Sequence, residues 1–119
     1  MATNFVMDGK QMSYAAAALT PNSGVVSGQP VLAGQIPGVA LISATDSKVT
    51  VAHEGVFNLS VEGANNAGNV AVAVGDILYY DAAATVKINK DNTNGVRSGY
   101  ALAAVGSGAT ATIAVKVGY

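Results

Sequence analysis

Cysteine is absent from the sequence, so disulfides and thiolate metal sites are excluded and the redox compartment is left open. Tryptophan is absent too, and aromatic residues make up only 6% of the chain. Charge is scarce: 11% of residues are Asp, Glu, Lys or Arg, against about 25% in a typical soluble domain. Six basic and seven acidic side chains leave a net charge of −1, with no run of one sign. A duplex-binding protein needs clustered cations to displace condensed counterions, so no direct nucleic-acid partner is expected. Apolar runs such as residues 15–19 and 70–74 fall far short of the roughly 20 residues that span a bilayer, so no membrane partner is expected. Residues 1–10 have no basic start followed by an apolar stretch. No secretory signal is therefore expected, and synthesis is placed in the cytoplasm.

What is present is small and apolar. Hydrophobic residues make up 50% of the chain, and Ala and Val supply much of that, so the core must be thin and closely packed. The 119 residues predict one domain over residues 1–119. Surface scaling gives roughly 11,000 Å² buried on folding, about 65% of what the extended chain exposes, which allows a core without metal or disulfides. A low-charge chain near neutrality has little to keep its copies apart. This points to a protein that works assembled.

Fourteen glycines punctuate the sequence and leave short segments that suit strands better than helices. The period-2 pattern is clearest at the C-terminus, where Ile113, Val115, Val117 and Tyr119 share one face and Thr112, Ala114 and Lys116 the other. A second alternating stretch runs through Val49, Val51, Phe57, Leu59 and Val61, interrupted at Ala52-His53-Glu54-Gly55, where Gly55 marks a bulge or bend. Further strands are predicted over residues 25–32, 39–42, 70–74, 77–80, 86–89 and 96–105, with Pro30 and Pro37 restricted to edges, strand starts or turns. Asp91-Asn92-Thr93-Asn94-Gly95 predicts a hairpin-type turn. Residues 15–19, rich in Ala, allow at most a helical turn after the strand-like Met12-Ser13-Tyr14. There is one internal echo. Gly28-Gln29-Pro30-Val31-Leu32 resembles Gly75-Asp76-Ile77-Leu78-Tyr79, and Gly38-Val39-Ala40-Leu41 resembles Gly99-Tyr100-Ala101-Leu102, as two similar hairpin-like units would.

Chemistry-bearing residues are few. His53 is the only histidine; with no cysteine, a metal would rest on it plus scattered carboxylates. It reads either as a ligand or general base, or as a strand or loop residue beside Glu54 at a contact between copies. No Gly-x-Ser-x-Gly elbow surrounds a serine, no phosphate-cradling P-loop exists, and no Gly-x-Gly-x-x-Gly opens a helix. Asp76 and Asp81 flank a predicted strand, where Asp is ordinary turn chemistry rather than a catalytic pair. Asn58-Leu59-Ser60 matches the glycosylation triplet, which means nothing without a signal sequence. Tyr79 and Tyr80 must face opposite ways on a strand, and an outward tyrosine is a good interface anchor. No cofactor is called for, and an enzyme is not expected.

Taken in order, several segments carry a resemblance. These are Asn4-Phe5-Val6-x-Asp8-Gly9, Ser27-Gly28-x-Pro30-Val31, Gly38-Val39-Ala40 and Val49-x-Val51-Ala52-His53-Glu54-Gly55-Val56-Phe57-x-Leu59. Val74-Gly75-Asp76-x-Leu78-Tyr79-Tyr80-Asp81, Gly99-x-Ala101-Leu102 and Gly108-Ala109-Thr110-Ala111-Thr112-Ile113-x-Val115 complete the set. Over nearly its whole length the chain resembles the small tailed-bacteriophage capsid decoration, or cement, proteins. It departs in having His53 where that pattern suggests a residue such as Leu, and in an Asn-rich stretch around Asn65, Asn66 and Asn69.

The resemblance implies an all-β fold, a compact β-barrel or β-tulip-like sandwich with an extended N-terminal arm over residues 1–14. It implies a virion protein made in the host cytoplasm that binds the outside of the expanded capsid, commonly as a homotrimer, and bridges neighbouring copies of the major capsid protein. Expected contact residues are Phe5, Val6 and Met12 in the arm, His53, and Tyr79 or Tyr80. The competing reading is a phage or surface β-domain that binds carbohydrate or host envelope; seven aromatics without tryptophan supply little of the platform such a site uses.

Overall fold

The computed structural model describes residues 11–21, 24–42 and 48–118. The described chain is nearly all β. Gln11–Ala15 (β1), a 3₁₀ turn at Ala16–Ala18, Leu19–Thr20 (β2), Pro30–Ala33 (β3), Ile36–Ala40 (β4) and Lys48–Ala52 (β5) build a first sheet. Its strands pair antiparallel in the order β1-β5-β4-β3-β2. Gly55–Glu62 (β6) follows, then the two-residue strands Ala64–Asn65 (β7) and Gly68–Asn69 (β8), which pair with each other. Ile77–Tyr80 (β9), Ile88–Asn89 (β10), Val96–Ala101 (β11) and Thr110–Val117 (β12) join β6 in a closed barrel of order β10-β6-β12-β11-β9. The barrel shuts where β10 lies parallel to β6 and antiparallel to β9.

Side-chain alternation along β6 and β12 explains the barrel. Their register sets Leu59 opposite Ile113, Phe57 opposite Val115 and Val61 opposite Ala111, so these apolar positions face inward while Val56, Asn58, Ser60, Thr112 and Lys116 stay in solvent. Leu78, Tyr80, Ile88 and Ala101 complete the barrel interior, with Val72 and Val105 plugging it across a single bridge. Leu32 and Val39 of the first sheet also pack into this core. A second, smaller core gathers Leu19, Val25, Val31, Ala40, Val49 and Val51. Adjacent residues of β3 and β4 thus serve different cores, Val31 one and Leu32 the other, Ala40 one and Val39 the other. The middle of the first sheet is buried on both faces, which is why those strands read as continuous apolar pairs rather than as alternation.

Several expectations change. The stretch 49–61 is two strands in two sheets: β5 ends at Ala52, the chain crosses at His53-Glu54, and Gly55 (φ 135°) starts β6 in the barrel. Residues 70–74 contribute only the Val72–Val105 bridge, and Val74 is 67% exposed. The strand expected over 25–32 begins only at Pro30, and that expected over 39–42 runs from Ile36 to Ala40 with Pro37 inside it. Pro37 points its backbone toward β5, but that pairing begins only at Val39, so its missing N–H costs no ladder bond. The Asn94-Gly95 turn joins β10 to β11, which are not neighbours because β9 lies between them, so it is not a hairpin turn. Of the arm expected over residues 1–14, residues 1–10 lie outside the described residues, and 11–14 are part of β1, paired from Gln11–Ala52 onward.

The internal echo proves to be a repeated hydrogen-bonded device. In the turn of residues 26–29, Gln29 N–H donates to Val26 O, Gly28 N–H to Ala40 O at 2.7 Å, and Ala40 N–H back to Gln29 O. In residues 73–76 the same set recurs: Asp76 N–H to Ala73 O, Gly75 N–H to Ala101 O at 2.7 Å, and Ala101 N–H to Asp76 O. Residues 106–109 repeat it a third time against Gly63. Each turn has glycine third, at φ 85°, 89° and 76°, the left-handed conformation that a type II turn requires there. The turns launch β3, β9 and β12 respectively. In the first two, the side chain of the fourth residue closes the turn: Gln29 Oε1 accepts from Val26 N–H at 3.1 Å and Asp76 Oδ2 from Ala73 N–H at 2.8 Å.

Candidate functional site

His53 lies where the first sheet hands the chain to the barrel. Its Nδ1 is 2.8 Å from Pro37 O, an acceptor only, so Nδ1 carries the proton. Nε2 is then the acceptor for the Tyr14 hydroxyl at 2.7 Å, with the two rings edge to face at 5.6 Å. Burial raises the Tyr14 phenol above its ordinary value. The Met12 sulfur sits 3.6 Å from the same hydroxyl. Met12 and His53, both expected at a contact, therefore meet around Tyr14, and the imidazole fastens edge strand β1 to the interior strand β4. Both ring nitrogens are engaged, and among the described residues no group of three or more His, Cys, Asp or Glu is placed to hold a metal ion.

The carboxylates flanking β9 do separate jobs. Asp76 closes its turn and pairs with Lys90 Nζ at 2.9 Å. The Ala73 N–H bond first, and Lys90 next, hold its carboxyl below the ordinary range. Asp81, at the other end of the strand and 7% exposed, accepts from Ala83 N–H at 3.0 Å. This is turn chemistry at both ends. Asp91, overshadowed in the sequence by the neighbouring Asn-Gly pair, does comparable work: Oδ1 accepts from Thr93 and Asn94 N–H, and Oδ2 from Asn94 Nδ2. Its bonds from Asn94 are the main reason that its carboxyl, too, lies below the ordinary range. An Asp opening a run of Asn and Thr is the sequence signal for such a turn.

Tyr79 and Tyr80 face opposite ways, as strand geometry demands. Tyr79 is the outward, half-buried one and sits opposite Arg97 on β11. Tyr80 offers no contact surface: it is 2% exposed, its ring fills the barrel, and its hydroxyl donates to Thr20 O at 3.3 Å, tying the barrel to the first sheet. Burial pushes the Tyr80 phenol up. Phe5 and Val6 lie outside the described residues.

What the described surface offers a partner is backbone edge and apolar side chains. The barrel is closed, but among the described residues β1 pairs only with β5 and β2 only with β3, so these leave the first sheet two open edges. Such an edge presents unpaired N–H and C=O groups that another strand can join. An open groove of about 450 Å³ runs beside the start of β1, lined by Gln11, Glu54, Gly55, Val56, Lys116 and Val117. Six large hydrophobic side chains are exposed among the described residues, and none is singled out by sequence pattern: Val26, Ile36, Ile42, Val56, Val74 and Leu102. Exposure of single residues leaves no periodic signal to find.

A family model described as phage cement protein matches residues 7–117 of the chain. No curated protein and no solved structure matches it.

Proposed function

The chain belongs to the phage cement protein family, and on that premise we propose that it binds the outer surface of the expanded head as a homotrimer, joining neighbouring major capsid subunits against internal DNA pressure. The family match over residues 7–117 carries this reading. Three features support it: the scarcity of charge, which suits a contact surface since interface cores are depleted in charged residues; the apolar side chains left exposed; and the open β1 edge directly after residues 1–10.

The mechanism is mass action with multivalency. A protein that binds only the assembled lattice stabilises that lattice, and each further contact made by an already anchored copy forms at raised effective concentration. Residues 1–10, with Phe5 and Val6, act as an arm that adds a strand to a capsid sheet, continuing from Met12 at the sheet edge. Tyr79 supplies an outward contact on the barrel. His53 holds the root of the arm in register through Tyr14 and Pro37.

Co-sedimentation with expanded, decoration-free capsids of the cognate phage tests the proposal. Saturable binding at a fixed ratio to capsid subunits is expected, with weaker binding once residues 1–10 are removed. No binding at micromolar protein would refute the cement role; unchanged binding by the truncated chain would refute the arm.

A further inference from the structure

Among the described residues, apolar exposure is concentrated at two of the three repeated turns. Val26 opens the turn of residues 26–29 and is 55% exposed; Ile42, 48% exposed, lies two residues past Ala40, the strand residue that this turn grips. Ser27 Oγ donates to Leu41 O at 3.0 Å and fastens turn and strand end together. In the turn of residues 73–76, Val74 is 67% exposed, and Leu102, 42% exposed, directly follows the gripped residue Ala101. These two pairs account for four of the six large hydrophobics exposed among the described residues.

The turn itself does not require them. Gly106-Ser107-Gly108-Ala109 makes the same backbone bonds with no large apolar side chain. Nor do the positions match one for one: Val26 is first in its turn and Val74 second in its own. The apolar side chains are therefore additions to the framework, and paired exposed apolar side chains can anchor a contact, since interface cores are depleted in charge.

Their size and spacing select the partner. Two half-exposed aliphatic side chains offer on the order of 100–200 Å² per patch, far below the roughly 800 Å² per partner of a stable free-standing complex. Neither patch holds a soluble partner alone. The first patch belongs to the sheet and the second to the barrel, and these share a core through Leu32 and Val39 and a hydrogen bond from Tyr80 to Thr20, so their separation is fixed. A fixed pair of weak apolar sites suits a surface that repeats at fixed spacing, where the second contact forms at high effective concentration.

Resting on the cement reading, we infer that the Val26–Ile42 patch and the Val74–Leu102 patch each contact one of two neighbouring copies of the major capsid subunit. Binding isotherms on decoration-free capsids test this. The variants are Val26→Ser with Ile42→Ser, Val74→Ser with Leu102→Ser, all four together, and Gln35→Ser with Asn92→Ser as controls at exposed side chains outside both patches. Each patch pair is expected to weaken binding about tenfold, the four-residue variant about a hundredfold, and the control not at all. Single Val26→Asp and Val74→Asp variants, each altering one exposed side chain, give a second reading should a serine pair melt early, and each is expected to weaken binding. Wild-type affinity in both pairs, or a loss confined to one pair, overturns the inference while leaving the cement reading intact. Failure of the unaltered protein to bind overturns both.

Discussion

Two glycines of this fold are required for different reasons, and substitution separates them. Gly75 sits at φ 89°, and a Cβ added there would meet nothing within 4 Å, so its constraint is conformational. Gly95 has no left-handed φ, but a Cβ there would lie 2.5 Å from Asp91 O, 2.7 Å from Tyr79 Cβ and 3.2 Å from Tyr80 O, so its constraint is space. Gly75→Ala is expected to cost about 1–2 kcal/mol, the penalty for an L-residue in the left-handed region. Gly75→Asn should cost less, since Asn visits that region several-fold more readily. Gly95→Ala forces backbone atoms of β9 and of the turn apart and is expected to cost about 1–3 kcal/mol. Gly95→Asn should be at least as damaging, because the added amide needs still more room. Urea unfolding reads all four as midpoint shifts at constant slope, and melting should fall by about 4 °C per kcal/mol. An Asn that rescues position 95, or fails to improve on Ala at position 75, would refute the assignment.

Two further outcomes follow from the hydrogen-bonded side chains. Stability should fall at both ends of the pH scale. The Asp76 and Asp91 carboxyls are lowered, so their contribution is present above the unfolded value of about 4 and is lost as pH falls through the folded values. The Tyr14 and Tyr80 phenols are raised, so their contribution is intact below about pH 10 and is lost as pH rises from there; urea midpoints from pH 2 to 11 check both flanks. His53→Ala removes the donor to Pro37 O and the acceptor for Tyr14 and is expected to cost about 1–3 kcal/mol. The loss should appear in hydrogen exchange as faster amides in residues 12–15 with those of Leu59 and Val115 unchanged; uniform acceleration would contradict a local role.

Legibility in the sequence tracks how each strand meets water. Along β12, solvent lies on one face and core on the other, so Ile113, Val115 and Val117 alternate with Thr112, Ala114 and Lys116 and the strand is plain. β3 and β4 serve a different core on each face, and that removes the alternation. The run from Val49 to Val61 looks continuous because the residue pattern carries no mark of which sheet a strand joins; only the break at His53-Glu54 records the change. Asn94-Gly95 misleads because the pair signals local backbone freedom, whereas the turn there is held by Asp91 and the glycine answers to crowding. The echo between residues 28–41 and 75–102 is legible because one hydrogen-bonded device needs glycine at one place and a small residue at another. At the candidate contacts, the opposite facing of Tyr79 and Tyr80 can be read from strand period. Which of the two points inward depends on barrel closure by β10, a two-residue strand too short to announce itself.

A cryo-electron microscopy reconstruction of heads decorated with this protein would locate it on the shell and count the capsid subunits each copy touches. Added density is expected on the outside of the shell, as trimers, each copy touching two neighbouring major capsid subunits. Density on the inner surface, or copies each confined to a single capsid subunit, would contradict the cement role.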